Sequence, residues 1–411
     1  MEDQQIYTQV IELEGHIIDS MILPQVMDEV MDRGGDFEVE EIRVGRRKTE
    51  TSYARLELRA PSLELLDLLV QHARRLGATV PDPEQVRTQP AEGDGVFPEG
   101  FYSTTNLETL VRLNGGWVRV ENPEMDLGIV VDWANRTART CPVANVRKGD
   151  EIVVGHKGVR VIPLQRPREQ QEVFAFMGSA VSSEKPKAIL IREIAAQMKA
   201  NRARGGKTLV VGGPAIAHTG SAPLLVKLIE GGYVDYLFAG NALATHDIEA
   251  AFFGTSLGIS LAEGTQTENG HQHHIRAINR IRRAGGIRQA VEQGLLTKGI
   301  MHACVTHGVE YILAGSIRDD GPLPDVITDV IEAQEKMREV VHRGVDLALM
   351  ISTMLHSIAV GNLLPASVTT VCVDINPAVV TKLADRGSFQ AIGLVADAEG
   401  FLRQLVTELG L

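Results

Sequence analysis

From about residue 173 to residue 411 apolar strands alternate with helical stretches, and this alternation allows few architectures besides a parallel sheet covered by helices on both faces. Three runs carry it: Thr208-Leu209-Val210-Val211-Gly212, Tyr233-Val234-Asp235-Tyr236-Leu237-Phe238-Ala239-Gly240 and Thr369-Thr370-Val371-Cys372-Val373-Asp374. Each is largely apolar, as a strand buried on both faces must be. Open sheets of this kind bind ligands outside the carboxyl ends of their strands, so chemistry is expected in the residues just after each run.

The 411 residues exceed one ordinary hydrophobic core, so two or three domains are expected. Residues 1–95 read as strand, helix, strand, strand, helix, a small ferredoxin-like α+β domain. Within it Tyr7–Gly15 alternates, Leu23–Arg33 has helical spacing ended by Gly34-Gly35, and Ser62 caps a helix reaching Gly77. Pro, Gly, Asp and Glu dominate 81–95, as in a linker. A β-rich segment spans 96–172, with a hairpin signal at Asn114-Gly115-Gly116 and short strands at Gly128–Trp133 and Asp150–Val154. The α/β dinucleotide-binding domain, a doubly wound parallel sheet, takes 173–411.

A net charge of −12, from 41 Lys and Arg against 53 Asp and Glu, argues against binding a phosphate backbone, so no nucleic-acid partner is expected. The acidic start Met1-Glu2-Asp3-Gln4-Gln5 lacks the character of an export signal and no apolar stretch is long enough to span a bilayer, which points to a cytoplasmic protein without a membrane partner. Cys141, Cys304 and Cys372 are odd in number and far apart, suiting reduced thiols.

After the first apolar run comes Gly212-Gly213-Pro214-Ala215-Ile216-Ala217-His218-Thr219-Gly220-Ser221-Ala222-Pro223, with Pro223 fit for the first turn of a helix. Such glycines let a phosphate approach the backbone, although the G-x-G-x-x-G fingerprint is absent and a tight connection explains them equally well. Asp374 can accept hydrogen bonds from a ribose; alternatively Asp374 or Asn376, before Pro377, caps a helix. Ser352-Thr353-Met354-Leu355-His356-Ser357 follows a strand-like run from Val345. Three such loops on one parallel sheet favour a nucleotide cleft.

The runs Glu263-Gly264, Asn269-Gly270-His271-Gln272-His273-His274-Ile275-Arg276-Ala277-Ile278-Asn279, Gly299-Ile300-Met301-His302-Ala303-Cys304 and Ala314-Gly315-Ser316-Ile317-Arg318-Asp319-Asp320-Gly321-Pro322-Leu323-Pro324-Asp325-Val326 resemble those of the archaeal-type NAD-dependent ornithine cyclodeaminases. The resemblance extends to Phe101-Tyr102-Ser103-Thr104-Thr105-Asn106 and to an N-terminal domain similar to that of lysine-ketoglutarate reductase/saccharopine dehydrogenase, covering nearly the whole chain. More distantly, Gly240-Asn241-Ala242-Leu243-Ala244-Thr245-His246-Asp247 and Asp320–Asp325 are similar to segments of deoxyhypusine synthase, but Gly321-Pro322 departs from its pattern and the lysine of its covalent intermediate has no counterpart. The family resemblance implies conversion of L-ornithine to L-proline and ammonia, with hydride passed to NAD and returned within one cycle, and a homo-oligomer. Arginine hydrolysis is not expected, since no segment here resembles an arginine-degrading domain. The resemblance further implies NAD contacts at Asn241, Ala242, Asp319, Thr353, Met354, Leu355, His356, Asp374, Asn376, Asp397 and Ala398; Asp397 can equally cap the last helix.

An ornithine pocket needs a cation for the carboxylate and carboxylates for the amines. Arg276 and Arg318 are the candidate clamps, with surface ion pairing as the alternative. Asp320, Asp325 and Glu263 are candidates for binding amines or moving protons, against a role as loop charges or caps. His271, His273 and His274 form the densest histidine cluster; nothing at a suitable spacing completes a metal site, so no metal is expected, and His271 and His274, sharing a helical face, are assigned to proton transfer or positioning, with capping as the alternative. Cys304 is read as buried core in an apolar strand, not as a nucleophile. Two other functions stay open: an NAD-dependent oxidoreductase of another, saccharopine-like amino acid, and a module sensing an amino acid or nucleotide.

Overall fold

The computed structural model describes residues 6–47, 50–81, 84–162, 187–267, 270–319, 321–385 and 391–411. It comprises two compact units, Met1–Ala175 with Leu364–Ser367 and Phe176–Leu363 with Val368–Leu411. No described helix is long and apolar enough to cross a membrane.

The first unit begins with an antiparallel sheet of β1 (Tyr7–Gly15), β2 (Asp36–Arg43) and β3 (Ser52–Ala60), ordered β1-β3-β2. β3 alternates strictly between buried and half-buried residues, the period of two that a sheet with one covered face imposes. Helices Ile22–Asp32 and Leu63–Arg75 bring Leu23, Val26, Val30, Leu66 and Leu69 into the same core as Ile11, Leu13, Leu56 and Leu58. Ser62 caps the second helix, its hydroxyl accepting from Leu65 N at 3.2 Å. The chain then returns beside β1, where Thr79 N donates to Glu12 O at 2.8 Å. The ferredoxin-like pattern is present with its last strand reduced to that bridge.

Seven strands build the second sheet: β4 (Thr88–Pro90), β5 (Glu108–Leu113), β6 (Gly116–Glu121), β7 (Gly128–Asp132), β8 (Thr137–Cys141), β9 (Glu151–Val153) and β10 (Val159–Ile162), in the order β10-β5-β6-β8-β7-β9-β4. The expected hairpin joins β5 to β6 through Asn114 and Gly115, both at positive φ (50° and 80°). β4, β8 and β10 escape a reading by periodicity, being only three to five residues long. Thr88–Pro90, which lies before residue 96, pairs with β9.

The second unit holds β11 (Thr208–Gly212), β12 (Tyr236–Gly240), the hairpin β13 (Thr255–Ser256) and β14 (Ile259–Ser260), β15 (Glu310–Ala314), β16 (Val326–Ile327), β17 (Leu347–Ile351), β18 (Thr369–Asp374) and β19 (Ala391–Val395). Apart from the hairpin these form one sheet, ordered β16-β15-β12-β11-β17-β18-β19, with every neighbouring pair parallel. All five residues of β11 and of β17 are buried, as expected for central strands covered on both faces. Strand order runs outward from β11 in one direction and from β17 in the other, so the topological switch point lies between them.

One expected element is corrected. Cys304 lies in the helix Ile300–His307 and not in a strand. Its apolar stretch is too short for period to distinguish the two, and the deciding contact is tertiary: Asp247 accepts from Ile300 N at 2.8 Å and Met301 N at 2.9 Å, capping the helix. The thiol is buried, as expected, and burial raises its pKa.

Candidate functional site

At the switch point the loops after β11 and β17 touch. Gly213 N donates to Ile351 O at 2.8 Å, and a Cβ at Gly213 would lie 1.8 Å from Ser352 O, so only glycine fits. Ser352 itself takes a left-handed backbone (φ 51°), and its N–H donates to Val373 O at 2.8 Å. The ten-residue helix Met354–Leu363 starts directly after this turn, and the amides of a helix's first turn lack intrahelical acceptors. A bare glycine backbone beside a helix N-terminus meets the needs of a pyrophosphate.

The residues expected at a cofactor line this carboxyl-end edge. Asn241 opens the helix after β12, and its Nδ2 donates to Asp319 Oδ1 at 3.0 Å while its Oδ1 accepts from Leu323 N and Thr245 Oγ1 at 3.1 Å each. Asp319 Oδ2 accepts from Ser316 N at 2.9 Å and Ser316 Oγ at 3.1 Å, so the loop after β15 is latched to the start of that helix. Ala242 is half-buried beside Asn241. Thr353 packs near Gly213, Met354 and Leu355 are exposed, and His356 is half-buried with its Cε1 3.3 Å from where a Cβ of Gly240 would stand. Burial pushes the His356 imidazole below its ordinary range.

Asp374 ends β18 with 8% of its surface exposed; Oδ1 accepts from Asn376 N at 2.8 Å, and Oδ2 accepts from no described residue. Asn376 Oδ1 accepts from Ala378 N at 3.0 Å at the start of the helix Pro377–Asp385. Capping therefore falls to Asn376 and leaves one Asp374 oxygen available. Asp397 caps the last helix, Ala398–Leu409, accepting from Gly400 N at 2.7 Å, and Ala398 is buried.

The proposed reaction residues are more scattered. Asp320 lies outside the described residues. Glu263 sits in an exposed loop, accepting from Thr265 Oγ1 at 3.3 Å. His271 is exposed in the short helical turn Gly270–Gln272, whereas His274 belongs to the helix His273–Ala284, so the two do not share one continuous helical face. Arg276 is exposed and donates to Gln272 Oε1 at 2.8 Å, and Arg318 is exposed in the loop after β15. Asp325 accepts from Ile287 N at 2.9 Å and from Tyr311 OH at 3.3 Å, which makes it the cap of the helix Ile287–Glu292, the alternative left open above.

His274 leads to a polar cluster absent from the expected residues. Its ring centroid is 6.2 Å from that of His246, which is 4.6 Å from that of His218. His246 Nδ1 is 2.8 Å from Oε2 of the wholly buried Glu249. His218 Nδ1 is 2.8 Å from Ser256 Oγ, and His273 Nδ1 is 2.8 Å from Thr255 Oγ1. A signal for this cluster was available: Thr245, His246, Asp247 and Glu249 interrupt the helix Asn241–Phe253, whose apolar residues otherwise mark it for burial on all sides. His246 and Glu249 also stand three apart, on one helical face.

The chain matches three family models in succession. Residues 8–107 match the LOR/SDH bifunctional enzyme conserved region, 108–191 the first region of the arginine dihydrolase ArgZ-like C-terminal part, and 192–405 its Rossmann fold. The ornithine cyclodeaminase of Methanocaldococcus jannaschii is 56% identical over 409 residues, covering 98% of this chain and 96% of that one. Among solved structures, apo ArgZ, an arginine dihydrolase from the ornithine-ammonia cycle in cyanobacteria, has a TM-score of 0.86 at 41% identity. AgrE, solved in a ternary complex with ornithine and NAD+, has a TM-score of 0.53 at 40% identity. Each match covers 98% of this chain and 58% of the larger cyanobacterial one.

Proposed function

The chain belongs to the ornithine cyclodeaminase family whose members join a LOR/SDH conserved region to an ArgZ-like Rossmann domain, and from that membership we propose that it converts L-ornithine to L-proline and ammonia using NAD. The observation that carries this reading is the 56% identity to an archaeal ornithine cyclodeaminase over nearly the full length of both chains. NAD, when bound, supplies a hydride acceptor that becomes the donor later in the same turnover.

In this reading Gly213 and the first turn of Met354–Leu363 admit the pyrophosphate, with Thr353, Met354, Leu355 and His356 against it. Asp374 accepts from ribose hydroxyls through Oδ2, and Asn376, Asp397 and Ala398 shape that end of the cleft. Asn241, Ala242 and Asp319 shape the other end, where the Asn241–Asp319 hydrogen bond fixes the loop that carries Arg318. Arg318 and Arg276 are the proposed partners of the substrate carboxylate, and Asp320, Glu263, His271 and His274 remain the proposed amine and proton partners. Asp325, committed to Ile287 N and Tyr311, holds structure in this reading. A homo-oligomer is proposed from the family resemblance, and sedimentation velocity tests it.

The deciding experiment incubates the purified protein with L-ornithine and a small amount of NAD. Proline and ammonia in equal amounts, exceeding the NAD supplied, are expected. Stoichiometric accumulation of NADH would replace this reading with a net dehydrogenase of another amino acid, and binding without turnover would replace it with a sensor.

A further inference from the structure

Polar groups on a helix buried all round must find partners, and those on Asn241–Phe253 do so in a way that assigns their protons. Glu249 accepts at both oxygens: Oε1 takes Thr255 Oγ1 and Gly258 N, each at 2.9 Å, and Oε2 takes His246 Nδ1 at 2.8 Å and Leu257 N at 3.2 Å. Four donors fill the lone-pair sites of an ionised carboxylate. Although burial opposes ionisation, the hydrogen bonds from His246, Gly258 N and Thr255 hold the Glu249 carboxyl below its ordinary range.

With Glu249 charged, a neutral His246 ring carries its proton on Nδ1 and leaves the lone pair on Nε2. That nitrogen has no hydrogen-bond partner among the described residues, and 11% of the His246 side chain stays exposed. Thr255, giving its one proton to Glu249, accepts from His273 Nδ1. The other titratable groups facing His246 do not compete for this carboxylate. His218, on the short helix Ala215–His218, is held neutral by burial, its pKa lowered to about 4. His274 stands 6.2 Å away on the helix His273–Ala284. On the side of the helix Ile300–His307, Asp247 is committed to two amides and Cys304 is buried.

The position suits chemistry. His218 closes the short helix that follows Gly213-Pro214 after β11, and His246 lies on the helix after β12 that Asn241 opens. His218 thus follows the carboxyl end of β11, which borders the switch point, and His246 that of its neighbour β12, on the edge where open α/β sheets hold their ligands.

We propose that His246 is the base that takes the proton of the substrate's α-ammonium, and that Glu249 is its positioning residue. The inference rests on the cyclodeaminase reading. In the step an N–H bond of the ammonium breaks, its electron pair stays on nitrogen, and the proton forms a bond to His246 Nε2, giving an imidazolium stabilised by Glu249. The neutral amine can then release hydride from its α-carbon, and the imidazolium returns the proton to the nitrogen that leaves as ammonia. The transfer needs no oxidant or reductant of its own.

The test uses the full chain with ornithine and NAD, and compares wild type with His246→Gln and Glu249→Gln. His246→Gln should lower kcat by about 100-fold or more while NAD affinity holds within about twofold. In Glu249→Gln the imidazolium loses its counter-charge, so the acidic limb of the kcat profile should move to lower pH. Because that variant strands two of the four donors and can fail to fold, nitrogen NMR of the histidine-labelled wild type, assigned against His246→Gln, supplies a second readout; neutral His246 should be the Nδ1–H tautomer. A His246→Gln enzyme within about threefold of wild-type kcat would overturn the base, and an Nε2–H tautomer would overturn the positioning role. If the wild type itself makes no proline, the cyclodeaminase reading fails instead, while the tautomer still reports on Glu249 and His246.

Discussion

A carboxyl group as buried as that of Asp247 leaves its ordinary range: burial raises its pKa to about 6, although the amides of Met301 and Ile300 pull the other way. The folded state then holds this proton more tightly than the unfolded chain, whose carboxyl titrates near 3.8. Its contribution is complete below about pH 4 and is lost as pH rises through about 6, an effect of up to about 3 kcal/mol. Thermal unfolding of wild type and Asp247→Asn across that range should show the wild type losing stability relative to the variant as pH rises; a constant difference would return Asp247 to ordinary titration. Asp374 predicts differently. Asp374→Ala removes the proposed ribose acceptor and should weaken NAD binding by roughly 10- to 100-fold, the worth of a charge-assisted hydrogen bond. Calorimetric titration measures it, and unchanged affinity would remove Asp374 from the cofactor site.

Among elements, the crossing of two turns at the switch point governs the site more than either helix beside it. Gly213→Ala drives a Cβ into Ser352 O, so the turn that starts Met354–Leu363 must move, at a cost of more than about 2 kcal/mol. NAD affinity should fall by more than about tenfold, because the first-turn amides move with it. Gly220 is the control: it has a left-handed backbone (φ 75°) but open space around it, so Gly220→Ala should cost only about 1 kcal/mol and leave NAD binding nearly intact. Equal losses in the two variants, read by thermal shift and NAD titration, would remove the switch-point crevice from the cofactor site. The sequence marked this loop but left it between a phosphate cradle and a tight connection. The spacing of glycines along the chain carries no information about Ser352, which is far away in sequence and adjacent in space.

For the chain as a whole, every residue proposed to hold NAD lies in the unit Phe176–Leu363 with Val368–Leu411. Calorimetry with and without NAD should therefore raise the unfolding transition of that unit preferentially, by about 2.7 kcal/mol at a hundredfold excess over Kd. An equal rise in both transitions would mean that the nucleotide is also held from outside that unit. The acidic balance of the chain adds nothing to such a site, because net charge speaks to long-range attraction and not to the geometry of a cleft.

What this sequence determines by itself is whatever local periodicity and turn chemistry can carry. The central strands are apolar because both faces are covered, the Asn114-Gly115 hairpin needs two positive φ angles, and Ser62 and Pro223 mark helix starts, so the α/β class and the ferredoxin-like opening were legible. The motifs also pointed to the edge of the sheet where the candidate site is proposed. Only the tertiary structure decided what each polar side chain does there. It commits Asp325 to a helix cap, joins Asn241 to Asp319, separates exposed His271 from His274, and gathers His218, His246, Glu249 and His273 from three separate stretches of chain. The physical reason is that a carboxylate's role depends on which donors reach it and how much water remains around it, and both are fixed by contacts between residues far apart in sequence.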